Sequence, residues 1–291
     1  RYYIDRFIMT NTSKKDQIKK ANLLRDLHHG DAPLVLPNIW DPGSAVFVAN
    51  AGFPAIATAS ASVAWALGRP DGEKLARREM LEAVSRIATR VQLPVTADME
   101  SGYGTTPSDV AETVTKTLEA GAVGINLEDG ISYATGTVFE LSDAIERITA
   151  ARVASDASGV NLVINARTDV YFCKQRSISE KFEEAVVRAN AYLSAGADCA
   201  FVIAVRDAAV IAELVREIRG PVNIVAGSPG LDINTLTRLG VKRISMAGGL
   251  ARNVFGGLKA ALEEVHDNGT TEFLKNSLGH LDLNRLFSDP N

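Results

Sequence analysis

The chain has few of the residues that carry redox and imidazole chemistry: its 291 positions include only two cysteines and four histidines. Cys173 and Cys199 show neither metal nor redox spacing, and one possible pair is no disulfide framework, so both read as ordinary thiols. His28, His29, His266 and His280 fall on helical or tail segments rather than at strand ends, which argues against a zinc site and against histidine acid–base catalysis. Neither sign of charge gathers into a run: 31 basic residues stand against 35 acidic ones, a net charge of −4, which argues against a nucleic-acid partner. No apolar stretch approaches the ~20 residues that cross a bilayer, so no membrane partner is expected. Arg1 to Asp16 also lacks the apolar centre of a secretion signal, and the chain reads as that of a cytoplasmic protein. Met9, followed by polar residues, reads as a start; residues 1–15 are taken as a tail and 16–291 as one domain.

What is present is a globular composition, 46% hydrophobic and 23% charged, enough for a sizeable core. Short runs rich in Val, Ile and Ala recur at even intervals, each followed by an amphipathic stretch. The candidate strands are Leu34 to Pro37, Ala55 to Ala59, Val95 to Met99, Val123 to Leu127, Leu162 to Ala166, Cys199 to Ile203, Val222 to Ala226 and Arg243 to Met246. Helices are expected over Glu73 to Val91, Pro107 to Ala120, Leu141 to Ala154, Ser179 to Ala195, Ala208 to Ile218 and Ile233 to Leu239. Asp41 before Pro42 and Thr106 before Pro107 read as helix caps, and Gly121 and Gly196 as left-handed stops. Eight β/α units of this length close most economically into a (β/α)₈ barrel, with an open doubly wound sheet as the alternative. A helix over Asp16 to Leu27 precedes the first strand, and helical material over Thr271 to Phe287 follows the eighth unit.

Such a barrel places its reactive groups at the C-terminal ends of its strands. There the sequence is acidic. Asp98 and Glu100 end the third strand and, by alternation, share a direction; of Glu128 and Asp129 on the fourth, only one can face the same way. Asp71 follows the second strand on the loop Gly68-Arg69-Pro70-Asp71-Gly72. Two carboxylates ~4 Å apart repel by about 4 kcal/mol at an effective dielectric of 20, so such a cluster calls for a proton or a cation. Mg²⁺ suits oxygen ligands of this kind, with Mn²⁺ as a substitute. No lysine sits within a strand, which argues against Schiff-base chemistry. On the fifth strand Asn165, Arg167 and Asp169 alternate to one side, and Arg167 could grip a small carboxylate substrate bidentately. Asp129 and Asp169 read as residues that orient neighbours. The glycines of Gly227-Ser228-Pro229-Gly230 and Gly248-Gly249 could form a phosphate site.

Asp98-Met99-Glu100-Ser101-Gly102-Tyr103-Gly104 resembles the D-x-D-x-G-[YF]-G motif of the isocitrate lyase / phosphoenolpyruvate mutase superfamily. Leu67 to Asp71, Ala120 to Asp129 and Asn165 to Asp169 resemble further blocks of that family, in order, from about Leu34 to the C-terminal helices. The resemblance implies a (β/α)₈ barrel assembled as a homodimer or homotetramer by exchange of the helix after strand eight, here Leu250 to Val265. It also implies cleavage or formation of C–C or P–C bonds beside an enolate. Carried over by position, Asp71, Asp98, Glu100 and Glu128 would form the Mg²⁺ site, some through water. Ala59, Ser60 and Ala61 would offer backbone amides to a substrate carboxylate, and Arg167 would be the cationic partner. The lyase K-[KR]-C-G-H loop is missing: after Glu128 the chain reads Asp129-Gly130-Ile131-Ser132-Tyr133-Ala134-Thr135-Gly136-Thr137-Val138-Phe139. With no thiol there, Tyr133 becomes the candidate proton donor. Ile203 and Gly227 stand where lyases place a Glu and an Asn.

These readings favour a Mg²⁺-dependent lyase acting on a small 2-oxo or 2-hydroxy acid, with Arg167, Glu128 and Tyr133 as its catalytic side chains. Phosphoenolpyruvate mutase or phosphonopyruvate hydrolase chemistry is the second possibility, and a 2-oxo acid binding protein without turnover the third.

Overall fold

The structure is a computed structural model that describes residues 13–132, 134–227 and 229–288. In chain order the strands are β1 (Leu34–Leu36), β2 (Asn38–Ile39), β3 (Ile56–Thr58), β4 (Val95–Asp98), β5 (Gly124–Glu128), β6 (Gly130–Ser132), β7 (Thr137–Val138), β8 (Val163–Thr168), β9 (Cys199–Val202), β10 (Val222–Val225) and β11 (Arg243–Ser245). The helices are α1 (Lys14–Leu27), α2 (Pro42–Asn50), α3 (Ser60–Ala66), α4 (Arg77–Arg90), α5 (Pro107–Glu119), α6 (Leu141–Ser158), α7 (Ile178–Ser194), α8 (Ala208–Glu217), α9 (Ile233–Arg238), α10 (Gly249–Asn268) and α11 (His280–Ser288).

The main sheet is parallel, in the order β1-β11-β10-β9-β8-β5-β4-β3-β2. The expected first strand, Leu34 to Pro37, contains β1, and a second short piece, β2, follows directly after Pro37. Pro37 has no N–H to donate, so the ladder breaks there: β1 pairs with β11 and β2 with β3. Those two halves of one stave bring the ends of the sheet together and give the (β/α)₈ barrel the sequence anticipates. Helices cover the outer face, where strand residues such as Ile125, Leu127 and Ile164 are buried, and side chains fill the inner one.

The interior is more polar than the strand composition suggests. Asn165 donates through Nδ2 to Oδ1 of both Asn126 (2.8 Å) and Asn223 (3.0 Å), and Asn223 donates to the Ser245 hydroxyl (3.0 Å). Arg243, fully buried, donates to Asn126 Oδ1 at 3.0 Å and lies 3.3 Å from His28 Nε2. Burial and the neighbouring Arg243 push the His28 imidazole down to about 3, so the ring is neutral and its Nδ1 meets the Leu24 carbonyl at 2.7 Å. His28 therefore does touch a strand end, but the N-terminal one, opposite the C-terminal mouth. There α1 plugs the barrel floor: Gln17 donates to the Leu118 carbonyl (2.7 Å) and Arg25 pairs with Asp198 (2.8 Å).

Helix ends follow the expected chemistry. Asp41 caps α2 through Ser44 N (2.6 Å) with Pro42 at the first position, and Thr106 caps α5 ahead of Pro107. Two helical expectations are corrected. The helix placed from Glu73 begins only at Arg77, because residues 71–76 serve as a loop in which Glu73 takes a left-handed φ of 56°. Conversely, the stretch after the second strand is not all loop: α3 starts at Ser60 with no side-chain cap, the feature whose absence hid it. α10 buries only Ala251 and leaves Val254, Phe255, Leu258, Leu262 and Val265 exposed. No helix among the described residues is long and apolar enough to cross a membrane.

Gly124 is where the floor helix and the sheet approach most closely. A Cβ there would sit 2.7 Å from Leu24 Cδ2 and 2.8 Å from Thr96 Cβ, both in fully packed surroundings. Gly124→Ala should therefore destabilise the fold by about 1–3 kcal/mol through overpacking, measured as a lower denaturation midpoint. An unchanged midpoint would show that α1 is not seated on the barrel.

Candidate active site

The register of the parallel strands assembles the mouth. Asp98 pairs with Asn126, Asn126 with Asn165, and one layer higher Glu128 pairs with Arg167 and Arg167 with Phe201. Side chains that point inward from neighbouring staves are thus stacked in layers, and the upper layer is ionic. Asp98, Glu100, Glu128 and Arg167 are all buried.

Arg167 is held on two sides. Its Nε and Nη2 donate to Asp169 Oδ1 and Oδ2 (2.6 and 2.9 Å), and its Nη1 lies 2.6 Å from Glu128 Oε2. The bidentate grip expected for a substrate carboxylate is therefore engaged by Asp169, two residues along the same strand end. The guanidinium also lies 5.9 Å from the centre of the Phe201 ring beneath it. Burial pushes the Glu128 carboxyl up overall while Arg167 holds it down.

Asp98 is fixed through one oxygen. Its Oδ2 accepts from the Ser60 amide and hydroxyl, both at 2.9 Å, and its Oδ1 is buried with no hydrogen-bond partner. Asp71 Oδ1 is likewise buried and unpartnered, and burial, then Asp98, raises the Asp71 carboxyl. Both residues line a chamber of about 200 Å³ together with Ala59, Ser60, Ala61, Arg167, Phe172, Ile203, Ala247 and Gly248. Of the three amides assigned to a substrate carboxylate, that of Ala59 donates to the Ile39 carbonyl (3.3 Å) and that of Ser60 to Asp98. Ala61 lies in the first turn of α3, where helix amides have no intrahelical partner.

Glu100 reaches the mouth for a reason other than strand alternation. β4 ends at Asp98, and the chain turns through a left-handed Glu100 (φ 50°), which brings its side chain back over the barrel. Glu100 Oε2 accepts from the Glu73 amide and Oε1 from the Tyr103 hydroxyl at 3.2 Å. Burial, followed by Asp98 and Asp71, pushes its carboxyl up to about 8. Among the described residues no three His, Cys, Asp or Glu side chains are close enough to form a metal cage by themselves. Tyr133 lies outside the described residues, as do the stretch before Met9 and Ser228. Of the glycines considered for a phosphate site, Gly248 lines the chamber, while Gly227 closes a turn onto the Leu231 carbonyl (3.3 Å).

Glu73, and the pair Arg188 and Tyr192 behind Asp129, escape a reading of the sequence. Glu73, assigned there to a helix, accepts through Oε1 from the Ser101 amide (3.2 Å) and hydroxyl (2.6 Å) and from the Tyr103 amide (3.2 Å), tying the Asp71 loop to the Glu100 turn. Asp129 points away from the chamber: its Oδ2 meets Arg188 (3.2 Å) and Tyr192 of α7, and its Oδ1 accepts from the Asp169 amide (2.8 Å). The available signal was Arg188 on the inward face of α7, between Ala185, Ala189 and Tyr192.

The family model described as phosphoenolpyruvate phosphomutase matches residues 24–266. Oxaloacetate decarboxylase 2 of Pseudomonas fluorescens (strain Pf0-1) is 27% identical over 271 residues, 91% of this chain and 89% of its own. A Burkholderia cenocepacia J2315 structure provisionally assigned as a lyase/mutase shares 36% identity, covering 96% of this chain and 99% of its own at a TM-score of 0.89. A second structure from that organism, provisionally assigned as a phosphonomutase, shares 42% identity over 84% of this chain and 99% of its own, at a TM-score of 0.80.

The raised Glu100 carboxyl has a consequence for stability. Its folded pKa, about 8, exceeds the ordinary 4.5, so its favourable contribution is complete below 4.5 and is lost as pH rises through 8. Without divalent cation the melting temperature should fall over that window, and Glu100→Gln should flatten the decline. Identical pH profiles for the two proteins would refute the assignment.

Proposed function

Because the chain belongs to the phosphoenolpyruvate phosphomutase family, within the isocitrate lyase and phosphoenolpyruvate mutase superfamily of lyases and mutases, we propose that it cleaves a carbon–carbon bond in a small 2-oxo or 2-hydroxy acid through an enolate. One observation carries this reading: two buried carboxylate oxygens without donors, Asp71 Oδ1 and Asp98 Oδ1, on side chains that line one chamber with Arg167 and Ala59 to Ala61. Such oxygens suit a hard divalent cation. Asp71, Asp98, Glu100 and Glu128 would hold Mg²⁺, or Mn²⁺ in its place, some of them through water. When bound, the ion would polarise the substrate's C2 oxygen and supply positive charge for the enolate.

The chain's own residues do the rest. Ser60 fixes Asp98 Oδ2, so the side chain cannot rotate away from the chamber. Arg167, clamped by Asp169 and Glu128, presents a positive charge that needs no reorganisation when a carboxylate enters. The hairpin of β6 and β7 walls the mouth against water; Tyr133, between those strands in the sequence, would donate a proton to the enolate carbon and recover it from the hydroxyl proton that the substrate loses as its bond breaks. The likeness to an oxaloacetate decarboxylase supports C–C chemistry on a 2-oxo acid. The likeness to a phosphonomutase supports P–C chemistry as a second reading. Residues 130–138 contain no Lys, Arg or His to meet a phosphoryl group, which favours the first.

The test is turnover of 2-oxo and 2-hydroxy acids with Mg²⁺, set against release of pyruvate and phosphate from phosphonopyruvate. The expected result is cleavage of the former, abolished in a folded Asp98→Ala variant. In Arg167→Lys, KM should rise by about tenfold, the scale of one lost charge-assisted hydrogen bond. Phosphonopyruvate turnover would select the second reading, and binding of Mg²⁺ and oxalate without any product would mark a binding protein.

The exposed apolar face of α10 supports a homodimer or homotetramer in which α10 packs on a second copy. Leu258→Glu combined with Leu262→Glu should yield monomers by light scattering; a native protein that is already monomeric would overturn this assembly.

A further inference from the structure

Beside the metal-facing chamber lies a larger one of about 490 Å³, and Asp71 lines both. A chamber of that size exceeds the needs of a carboxylate and its C2 oxygen, and its walls say what else can enter. Three segments build it, residues 71–74, residues 100, 101, 104 and 105, and residues 130–132 with 134 of the hairpin, with Glu128, Phe139 and Asp169 behind them. Its lining includes five carboxylates, those of Asp71, Glu73, Glu100, Glu128 and Asp169, against Lys74 as the one cation among the described lining residues. Arg167 offsets part of the Glu128 and Asp169 charge from below. The remaining polar side chains among the described lining residues carry hydroxyls, those of Ser101, Thr105 and Ser132.

The charge balance decides the ligand. Five carboxylates face two cations, and a divalent ion beside Asp71 and Asp98 offsets at most two further charges. The substrate's own carboxylate then adds one back, leaving no cationic wall for a second. A hydroxyl-bearing tail, by contrast, can donate to Glu73 and exchange hydrogen bonds with Ser101, Thr105 and Ser132 without a like-charge penalty. We propose that this chamber receives the distal part of the substrate, and that this part carries hydrogen-bond donors and no second carboxylate. The proposal rests on the reading of the smaller chamber as the site for a 2-oxo or 2-hydroxy acid head, and it narrows the substrate class to monocarboxylates with a polar, non-anionic tail.

The experiment compares binding of two probes that differ only at the far end, 5-hydroxy-2-oxopentanoate and 2-oxoglutarate, to the full chain with Mg²⁺, with oxalate as the head-group control. The hydroxyl probe should bind at least about tenfold more tightly, the scale of one unfavourable charge contact at the tail. Ile131 lines the hairpin wall and is 55% exposed, so Ile131→Arg should place a cation there and shrink or reverse that ratio. Should that variant fail to fold, Ser132→Lys on the same wall takes its place. Tighter or equal binding of 2-oxoglutarate by the unaltered protein overturns the proposal while leaving the head site intact, as does a ratio that neither cation moves. Failure of oxalate itself to bind would instead sink the head site, and the tail assignment with it.

Discussion

One guanidinium stands between two carboxylates at the mouth of the barrel, and the site depends on it. Arg167 is gripped by Asp169 on one edge and meets Glu128 on the other. Burying a single carboxylate in such a place is costly, and burying several together is more so unless positive charge lies within reach. Arg167 supplies part of that charge from inside the wall. The rest is left to whatever enters, which is why Glu100 holds its proton near neutral pH and why Asp71 and Asp98 retain oxygens with no donor.

That arrangement is braced from behind. Arg188 and Tyr192 on α7 hold Asp129, Asp129 holds the Asp169 amide, and Asp169 holds Arg167. On the other side Glu73 ties the loop carrying Asp71 to the turn carrying Glu100 and Tyr103. Reactive groups at strand ends are only as well placed as the loops beside them, and here both flanks are fixed by charge-assisted hydrogen bonds to backbone. Of the two chambers, the smaller is lined by Arg167 and the larger by acids and hydroxyls, so the two differ in charge.

Much of the site could be read from local pattern. Asp98, Glu128 and Arg167 follow from strand ends, Glu100 arrives instead through a left-handed turn that alternation does not foresee, and Asp41 and Thr106 behave as the caps their neighbours announce. Three features were harder. Glu73 lies just ahead of a helical pattern and was absorbed into it, because periodicity alone does not mark where a loop gives way to a helix. α3 has no capping side chain at Ala59 and so left no start signal. Arg167 was expected to grip the substrate; Asp169 was read as orienting a neighbour, but nothing local to the sequence says that this neighbour is Arg167.

By itself the sequence determined the alternation of the eight main strands with helices and the acidic character of the mouth, and it favoured a barrel over an open sheet, because each follows from periods and spacings within a few residues. The pairing of charges was decided by the tertiary structure alone. Which carboxylate receives Arg167, which is left without a donor and which is turned outward to Arg188 depends on parallel register between strands tens of residues apart and on a helix packed behind them. Those distances are set only when the cylinder closes.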